Sequence, residues 1–383
     1  MRILLVTTSY PPFLDAGGPP VKVRAIAEGM AERGNQVTVL TANHNRGQRR
    51  HVGRAGGVEV IFLRILLRYR SIPVTSGVRA FVRRHLRDFD VVHIFGIYDT
   101  AGPIIARAAR RRRIPYVVEP MGMFKPIVRS FAKKRMFHAV LGRSLLARAA
   151  RVIATAEQER EELIGGGLPS GRVVVRRNGL DLLRFRSLPE RGAFRSAWGL
   201  PADDAMTLFL GRLAVKKRPE VLVEAFAQAG APGWLVFVGP DEDDYSERLR
   251  ALAVRRGIGE RLVITGPIFG EREKLAALVD ADVFALPSEN ENFGNSIAEA
   301  IACGVPVVIS DRCGIAPFVA DRAGLVEPLD VGSFADGLRR IHADGDLRAR
   351  FAAAGPEVAR ELSWDEPFDE QEALYRDIIE RGG

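Results

Sequence analysis

One segment, 282–310, constrains the fold of this chain more than any other; it reads DVFALPSENENFGNSIAEAIACGVPVVIS. Its apolar run 283–286 ends at a proline, as a short buried strand does. A helical pattern of apolar residues follows over 296–304 and stops at a glycine. The run 305–309 is again apolar. The segment therefore predicts a strand–loop–helix–strand unit of an α/β sheet.

An anion site is predicted where the helix of this segment begins. Ligands of α/β sheets bind beyond the carboxyl ends of the strands, where the loop before the helix lies. The unpaired amides of Asn295, Ser296 and Ile297 would suit a diphosphate. Glu291 and Glu299 would repel a phosphate, so we expect them to accept hydrogen bonds from neutral hydroxyls of a sugar and a ribose. The alternative is that both are solvated charges of a loop and a helix surface.

Three strings of the chain resemble motifs of one enzyme family. PSxxExFGxxxxEAxACGxPVV, within 282–310, resembles the Glu-x7-Glu signature of the retaining glycosyltransferases of GT-B family 4. Gly211-Arg212-Leu213, followed by Lys217, resembles the family's GRLxxxKG. The string VVHIFG, which contains His93, resembles the family's VVHIHG with phenylalanine in place of the second histidine.

The resemblance covers nearly the whole chain and implies an α/β fold of the GT-B type. That fold has two Rossmann-like domains facing a cleft and a C-terminal helix that crosses back to the first domain. We expect an acceptor-side domain at 1–185, joined by the crossing helix 364–383, and a nucleotide-sugar-binding domain at 186–363. The polar connector 182–204 is the expected hinge. The polar, glycine-rich stretch 43–57 is predicted to be a flexible loop.

The resemblance also implies a reaction: transfer of a sugar from a nucleotide diphosphate sugar to an acceptor hydroxyl, with retention at the anomeric carbon. Assembly of cell-envelope or exopolysaccharide glycans is the expected setting. Arg212 and Lys217, with the helix-start amides, would stabilise the leaving diphosphate without a metal ion or other cofactor. Glu299 would hold the ribose and Glu291 a sugar hydroxyl. The implied donor-binding residues are Gly17, Gly18, Arg212, Lys217, Asn295, Ser296, Ile297 and Glu299, and the implied catalytic residues are Arg212, Lys217 and Glu291.

The chain departs from the family pattern at Met121, where many members carry a histidine. Methionine can neither donate nor accept a useful proton. We expect the departing phosphate oxygen to take the acceptor's proton on the same face of the sugar. His93 is expected either in the core or, with Met121, in the acceptor cleft. Two alternatives stay open: a nucleotide-sugar epimerase on the same fold, and a non-catalytic nucleotide-sugar-binding relative.

Charge is unevenly distributed along the chain. Residues 1–185 hold 33 Lys and Arg against 13 Asp and Glu, a net of +20, and residues 186–383 hold 23 against 34, a net of −11. The acid-free segment 121–156 interleaves basic and aromatic residues, which suits an anionic membrane surface or an acidic acceptor. A solvated basic helix is the alternative. The arginines 110–113 lack interleaved aromatic residues, so no nucleic-acid partner is expected.

The expected location follows from cysteine usage and hydropathy. Cys303 and Cys313 fit neither a disulfide framework nor a metal cluster. No apolar stretch approaches the length of a membrane-spanning helix, and no secretory leader is expected. We therefore expect a cytoplasmic protein with peripheral docking at the inner face of the membrane. Its partners would be a nucleotide-sugar donor and a glycan or lipid-linked acceptor.

Overall fold

The computed structural model describes residues 1–13, 18–45, 51–69, 72–124 and 142–382. The chain forms two compact units: Met1–Asn178 with Asp365–Gly383, and Gly179–Trp364. The first unit therefore ends before the predicted boundary at residue 185. The reason is packing, because Leu180 lies in the core of the second unit and Leu182 and Phe185 pack against that core.

The described strands form one sheet in each unit. They are β1 (Arg2–Val6), β2 (Gln36–Asn43), β3 (His51–Ala55), β4 (Val58–Tyr69), β5 (Ile72–Thr75), β6 (Val91–Phe95), β7 (Tyr116–Glu119), β8 (Arg151–Ala154), β9 (Val173–Val175), β10 (Met206–Leu210), β11 (Trp234–Val238), β12 (Leu262–Gly266), β13 (Val283–Leu286), β14 (Val307–Ser310) and β15 (Gly324–Glu327). The first sheet has the order β3-β4-β2-β1-β6-β7-β8-β9, with β5 paired to β4, and the second has the order β12-β11-β10-β13-β14-β15. Only β3 and β5 run antiparallel to their neighbour among these described strands.

Most of the described helices lie between strands in the chain, and three of them follow β15. They are α1 (Gly18–Glu32), α2 (Val78–His85), α3 (Ala101–Arg111), α4 (Arg143–Ala147), α5 (Glu157–Gly165), α6 (Ala193–Ala197), α7 (Pro219–Ala229), α8 (Tyr245–Arg255), α9 (Glu271–Asp280), α10 (Asn295–Ala302), α11 (Ala316–Val319), α12 (Val331–Ala343), α13 (Gly345–Glu361) and α14 (Asp365–Glu380).

The predicted architecture of two Rossmann-like α/β units is confirmed. Apolar residues fill both faces of the central strands, as parallel sheets covered by helices require. In each sheet the strand order reverses beside the first strand of its series, since β1 lies between β2 and β6 and β10 lies between β11 and β13. Leu4 of β1 pairs with Thr38 on one side and Val92 on the other. Ligands bind such sheets at the carboxyl edge near this reversal.

The prediction of a loop over 43–57 is wrong for its second part. β3 pairs antiparallel with β4, and Gly56 and Gly57 form the two-residue turn between them. Both glycines have positive φ, 56° and 74°, as a tight hairpin turn requires. Pairing with β4, rather than the polar composition of the segment itself, makes β3 a strand. Residues 46–50 lie outside the described part of the chain.

The connector 182–204 is bonded to the second unit along its length and is not a free hinge. It contains α6, where Phe194 and Arg195 are buried. The Arg195 backbone N–H donates to Asp280 (2.8 Å), and its guanidinium donates to Asp282 (2.9 Å). An arginine inside the unit needs such partners because its charge is otherwise unsolvated. Polar composition therefore misled the linker prediction.

The C-terminal helix α14 packs on α1 within the first unit. The ring of Phe368 lies where a side chain at residue 29 would be, since a Cβ on Gly29 would come within 2.2 Å of that ring. The Arg33 guanidinium stacks 4.9 Å from the centre of the same ring. Further along the helix, the Tyr375 hydroxyl is fully buried and lies 2.7 Å from Nδ1 of His93. Because Gly29 has no side chain, the Phe368 ring of α14 can pack directly against α1.

A buried ionic cluster surrounds Glu119, the last residue of β7. Its carboxylate is inaccessible to solvent and contacts Lys22 of α1 and Arg176, which follows β9. Burial raises the pKa of Glu119, but Arg176 and Lys22 outweigh it and hold the pKa below its ordinary value. Nε2 of His93 lies 3.5 Å from the same carboxylate. Burial lowers the pKa of His93 to about 4, so this imidazole is neutral at pH 7. The cluster joins α1, β6, β7 and the end of β9, and through Tyr375 it includes α14.

We expect Glu119→Gln to lower the free energy of unfolding of the first unit by about 3–5 kcal/mol, the usual cost of leaving buried charges unpaired. Lys22 and Arg176 would lose their common counterion. Denaturant unfolding at pH 7 measures the change. The control is Glu366→Gln, which breaks the exposed pair with Arg177 (2.8 Å) in the same unit and should change stability little. Equal losses in the two variants would contradict the role given to Glu119.

Candidate active site

Two loops meet at the carboxyl edge of the second sheet. The loop after β10 carries Arg212 and the 3-10 turn Val215–Lys217, and the loop after β13 leads into α10. The carbonyl of Lys216 accepts hydrogen bonds from the Glu289 N–H (2.8 Å) and the Ser288 hydroxyl (3.2 Å). The two motifs that the sequence singled out are thereby joined into one site.

Glycines let the loop after β10 lie close to the loop after β11. A Cβ at Gly239, where φ is +148°, would lie 2.0 Å from the carbonyl oxygen of Gly211. Leu213 forms an isolated bridge with Asp241 just beyond this contact. The loops after β10 and β11 therefore run side by side, and the Arg212 guanidinium lies 3.6 Å from the Glu242 carboxylate.

The loop after β10 concentrates positive charge. Burial lowers the pKa values of Lys216 and Lys217, and the neighbouring Arg212 lowers both further. Mutual repulsion of this kind is relieved by an anion. The Lys217 ammonium contacts the Glu291 carboxylate, which favours its charged form. Arg212, Lys216 and Lys217 thus form an electropositive group whose nearest carboxylates are Glu291 at Lys217 and Glu242 at Arg212.

The backbone fixes Glu291 in place. Its N–H donates to the carbonyl of Arg312 (3.2 Å), and its own carbonyl accepts from the N–H of Gly314 (2.8 Å). Both partners lie in the loop after β14. Glu291 is thus held between two strand ends, with its side chain directed to Lys217.

The start of α10 presents free amides. Gly294, at φ +98°, precedes the helix and offers no side-chain cap. The amides of Asn295 and Ser296 have no hydrogen-bond partner among the described residues. The amide of Ile297, expected to be unpaired, instead donates to the Gly294 carbonyl (2.9 Å), because the carbonyl of the residue before a helix accepts its first hydrogen bonds. Two amides, rather than three, are therefore available to an anion.

Glu299, one turn into α10, is buried and paired with cations. Its Oε1 accepts from Lys274 Nζ (2.7 Å) and from Arg184 Nη1 (3.1 Å), and Arg184 also contacts Glu271. Oε2 accepts no hydrogen bond from the described residues. Sequence reasoning missed Lys274 and Arg184, and no local pattern could have indicated them.

The other predicted site residues belong to the first unit. His93 is completely buried between Tyr375 and Glu119, so its side chain does not reach solvent. Met121 follows β7 in a left-handed conformation, φ +56°, and is half-buried. Gly18 is the first residue of α1. Gly17 lies outside the described residues, as does the stretch 125–141 of the basic segment.

Cys303 and Cys313 are unpaired. Burial, and to a lesser degree Glu299, raises the pKa of the Cys303 thiol to about 12, so it is an unreactive thiol at pH 7. Over the described ranges, no three His, Cys, Asp or Glu side chains converge on a point that could hold a metal ion. Over the same ranges, no helix combines the length and apolarity needed to cross a bilayer.

Both halves of the chain match known protein families. A family described as glycosyl transferases group 1 matches residues 190–358, and a glycosyl transferase 4-like domain matches residues 17–179. A D-inositol 3-phosphate glycosyltransferase of Xylanimonas cellulosilytica is 31% identical over 392 residues, which cover 96% of this chain and 93% of that protein. One from Mycolicibacterium smegmatis is 30% identical over 381 residues, 94% of this chain and 86% of that protein.

Solved structures share the whole fold. A sucrose-phosphate synthase from Thermosynechococcus elongatus has a TM-score of 0.81 and 25% identity, covering 100% of both chains. The HepE protein of Anabaena, solved with UDP-glucose, has a TM-score of 0.76 and 21% identity, covering 98% of this chain and 99% of that one. At this level of identity, the second likeness concerns the fold alone.

We expect Gly294→Ala to weaken binding of inorganic diphosphate about tenfold, a loss of about 1.4 kcal/mol. The new Cβ would lie 2.6 Å from Cδ1 of Ile297 and displace the amides of Asn295 and Ser296. Calorimetric titration measures the affinity. Gly192→Ala is the matched control, because Gly192 also precedes a helix at φ +98° but has open space around it. Both variants carry the left-handed strain, so equal affinities would show that the α10 amides do not bind the anion.

Proposed function

The chain belongs to the glycosyl transferases group 1, and we propose that it transfers a sugar from a nucleotide diphosphate sugar to an acceptor hydroxyl with retention at the anomeric carbon. Glycosyltransferase activity is common to the relatives that match nearly the whole chain. The complexes of HepE with UDP and with UDP-glucose support the donor class. Retention, the acceptor and the absence of a metal ion are parts of the proposal.

One observation carries the proposal: a cationic loop and a free helix N-terminus lie together at one edge of the second sheet. Lys216 receives the hydrogen bonds of the loop that begins α10, and Lys217 contacts Glu291 of that loop. Cations and helix-start amides both stabilise phosphate oxygens. A diphosphate bound there would have its developing charge neutralised as it leaves.

The reaction requires one bond to break, one to form and one proton to move. The bond between the anomeric carbon and the diphosphate oxygen breaks, and the acceptor oxygen bonds to that carbon on the same face. The acceptor proton passes to the departing phosphate oxygen. Arg212 and Lys217 stabilise the charge left on the diphosphate without a divalent ion, because they already supply positive charge at that point.

Neither of the two residues expected in the acceptor cleft, His93 and Met121, offers a base for that proton. Met121 cannot accept one, and the buried His93 is occupied by Tyr375 and Glu119. Both observations support proton transfer to the leaving phosphate. They also support a positioning role for His93 and leave Met121 as an apolar neighbour of the acceptor.

The two glutamates have separate proposed roles. Glu299 has one oxygen committed to Lys274 and Arg184, while Oε2 remains able to accept from a ribose hydroxyl. Glu291 would accept from a sugar hydroxyl when the diphosphate displaces it from Lys217. Each carboxylate then meets a neutral hydroxyl and not a phosphate.

The acceptor is proposed to be a glycan or a lipid-linked glycan of envelope or exopolysaccharide assembly. D-inositol 3-phosphate is the second candidate, because several relatives carry that name. These relatives are glycosyltransferases by name, so nothing among them favours the epimerase alternative. A thermal-shift screen of nucleotide sugars identifies the donor, and transfer assays with that donor then compare the two acceptor classes.

Cytoplasmic location and peripheral membrane docking through 121–156 remain part of the proposal.

We expect Arg212→Ala and Lys217→Ala each to reduce turnover by roughly two to three decades, the scale for loss of a group that stabilises transition-state charge. Steady-state transfer assays measure the effect, and circular dichroism verifies folding. Arg256→Ala removes an exposed cation of the same unit that pairs with Glu224, and it should leave turnover within a few-fold.

The same assay tests the absence of a metal requirement. Turnover should be unchanged by a chelator. Loss of activity with the chelator and recovery with a divalent ion would reject the metal-free scheme. Turnover of both alanine variants near that of the unaltered protein would reject the diphosphate site itself.

We expect Glu299→Gln to weaken UDP binding but not binding of inorganic diphosphate, because the proposed contact is with the ribose. Glu291→Gln should leave UDP affinity nearly unchanged and lower transfer. Calorimetric titrations with the two ligands, together with transfer assays, separate these effects. The reverse pattern would mean that the roles of the two glutamates are exchanged.

A further inference from the structure

A cavity of about 520 Å³ lies in the first unit between α3 and the residues around α4. Arg107, Arg110 and Arg111 of α3 line it, together with Arg148, Tyr116 and Ser144. The arginines of α3 occupy its last turns, which lead toward the start of β7. They therefore lie toward the amino edge of the sheet, whereas Met121 follows the carboxyl end of β7.

The four arginines converge from two segments of the chain. Residues 107, 110 and 111 have the spacing that places side chains on one face of a helix. Arg148 follows α4 and comes from the basic segment 121–156. The hydroxyl of Tyr116 donates to the carbonyl of Leu145 (2.8 Å) and ties the two sides together.

No described residue compensates the positive charge of this cavity. Arg107, Arg110, Arg111 and Arg148 are exposed and make no ion pair or hydrogen bond with any described residue, and the described lining of the cavity contains no acidic side chain. Burial raises the pKa of the Tyr116 hydroxyl to about 12, while Arg110, Arg148 and Arg172 act to lower it, so their fields overlap at this point. Like charges at helical spacing repel, so the arrangement has a cost in the absence of an anion.

A helix C-terminus explains only part of this arrangement. Arginines in a last turn interact favourably with the helix dipole, which accounts for Arg110 and Arg111. It does not account for Arg107, one turn earlier, or for Arg148, which arrives from another segment. The end of α4 already has its own cation, since Arg172 donates to the carbonyl of Ala147 (2.6 Å).

We propose that this cavity is a second anion site, which binds a ligand bearing two phosphate groups or a phosphate ester of similar size. Planar guanidinium groups match phosphate oxygens two at a time, and four of them face enough space for such a group. The residues differ from those of the donor site, which lie in the second unit, and the inference does not depend on the proposed function. The ligand is either the head group of an anionic phospholipid or a free phosphorylated molecule.

The test variant combines Arg110→Gln with Arg148→Gln, one change from each side of the cavity. Its matched control combines Arg83→Gln with Arg84→Gln, which removes the same charge from exposed positions on α2 of the same unit. Calorimetric titration of the full chain with inorganic diphosphate counts the binding sites. We expect two sites in the unaltered protein and in the control, and one site in the cavity variant.

A second arm identifies the source of the ligand. Co-sedimentation with phosphatidylglycerol vesicles at low salt is compared with phosphatidylcholine vesicles. Loss of phosphatidylglycerol binding in the cavity variant alone supports a lipid head group. Loss of the diphosphate site with vesicle binding unchanged supports a free phosphorylated ligand.

Stability provides an independent check of both variants. Removing mutually repelling arginines should leave the melting temperature equal or higher, and added diphosphate should raise it less in the cavity variant than in the control.

Ser144→Glu, which places a carboxylate at the same cavity, should reproduce the loss of binding. If the cavity variant and Ser144→Glu both match the control in diphosphate stoichiometry and in vesicle binding, the site does not exist. If the proposed donor site does not bind diphosphate but the cavity does, the unaltered protein will show one site and the cavity variant none.

Discussion

One buried negative charge, that of Glu119, determines how the first unit is assembled. A carboxylate without access to water remains ionised only if cations contact it. Lys22 of α1 and Arg176, which follows β9, provide these cations. His93 completes the surroundings and connects them to Tyr375 on the last helix. The positions of two helices and two strand ends thus follow from one electrostatic requirement. The same cations are consequently unavailable as ligand anchors.

The second unit has the opposite balance at its carboxyl edge. Arg212, Lys216 and Lys217 lie together, and two carboxylates face these three cations: Glu291 contacts Lys217, and Glu242 lies 3.6 Å from Arg212. This local excess of positive charge occurs in the half of the chain whose net charge is −11. Net charge therefore says little about a site, because backbone geometry decides which side chains meet. In the first unit, four of the many arginines line the cavity beside α3.

The parts of the fold that depend on local patterns could be predicted from the sequence. The apolar runs and glycine stop of 282–310 reappear as β13, α10 and β14. β3 could not be predicted, because its polar residues become a strand only by pairing with β4. Lys217 and Glu291, 74 positions apart, were both anticipated because each belongs to a motif of its own. Arg184, 115 positions from Glu299, has no such motif, and its proximity arises only from the tertiary fold.

The bond between Tyr375 and His93 joins residues that are 282 positions apart. The first unit is thus made from both ends of the chain, and the second unit is inserted between them. Synthesis proceeds from the N-terminus, and domains fold as they emerge from the ribosome. The surface of α1 that Phe368 covers therefore stays exposed to water while the second unit is being made. The second unit is contiguous and precedes α14 in the chain, so the unit that contains β1 cannot be completed until α14 has also been made.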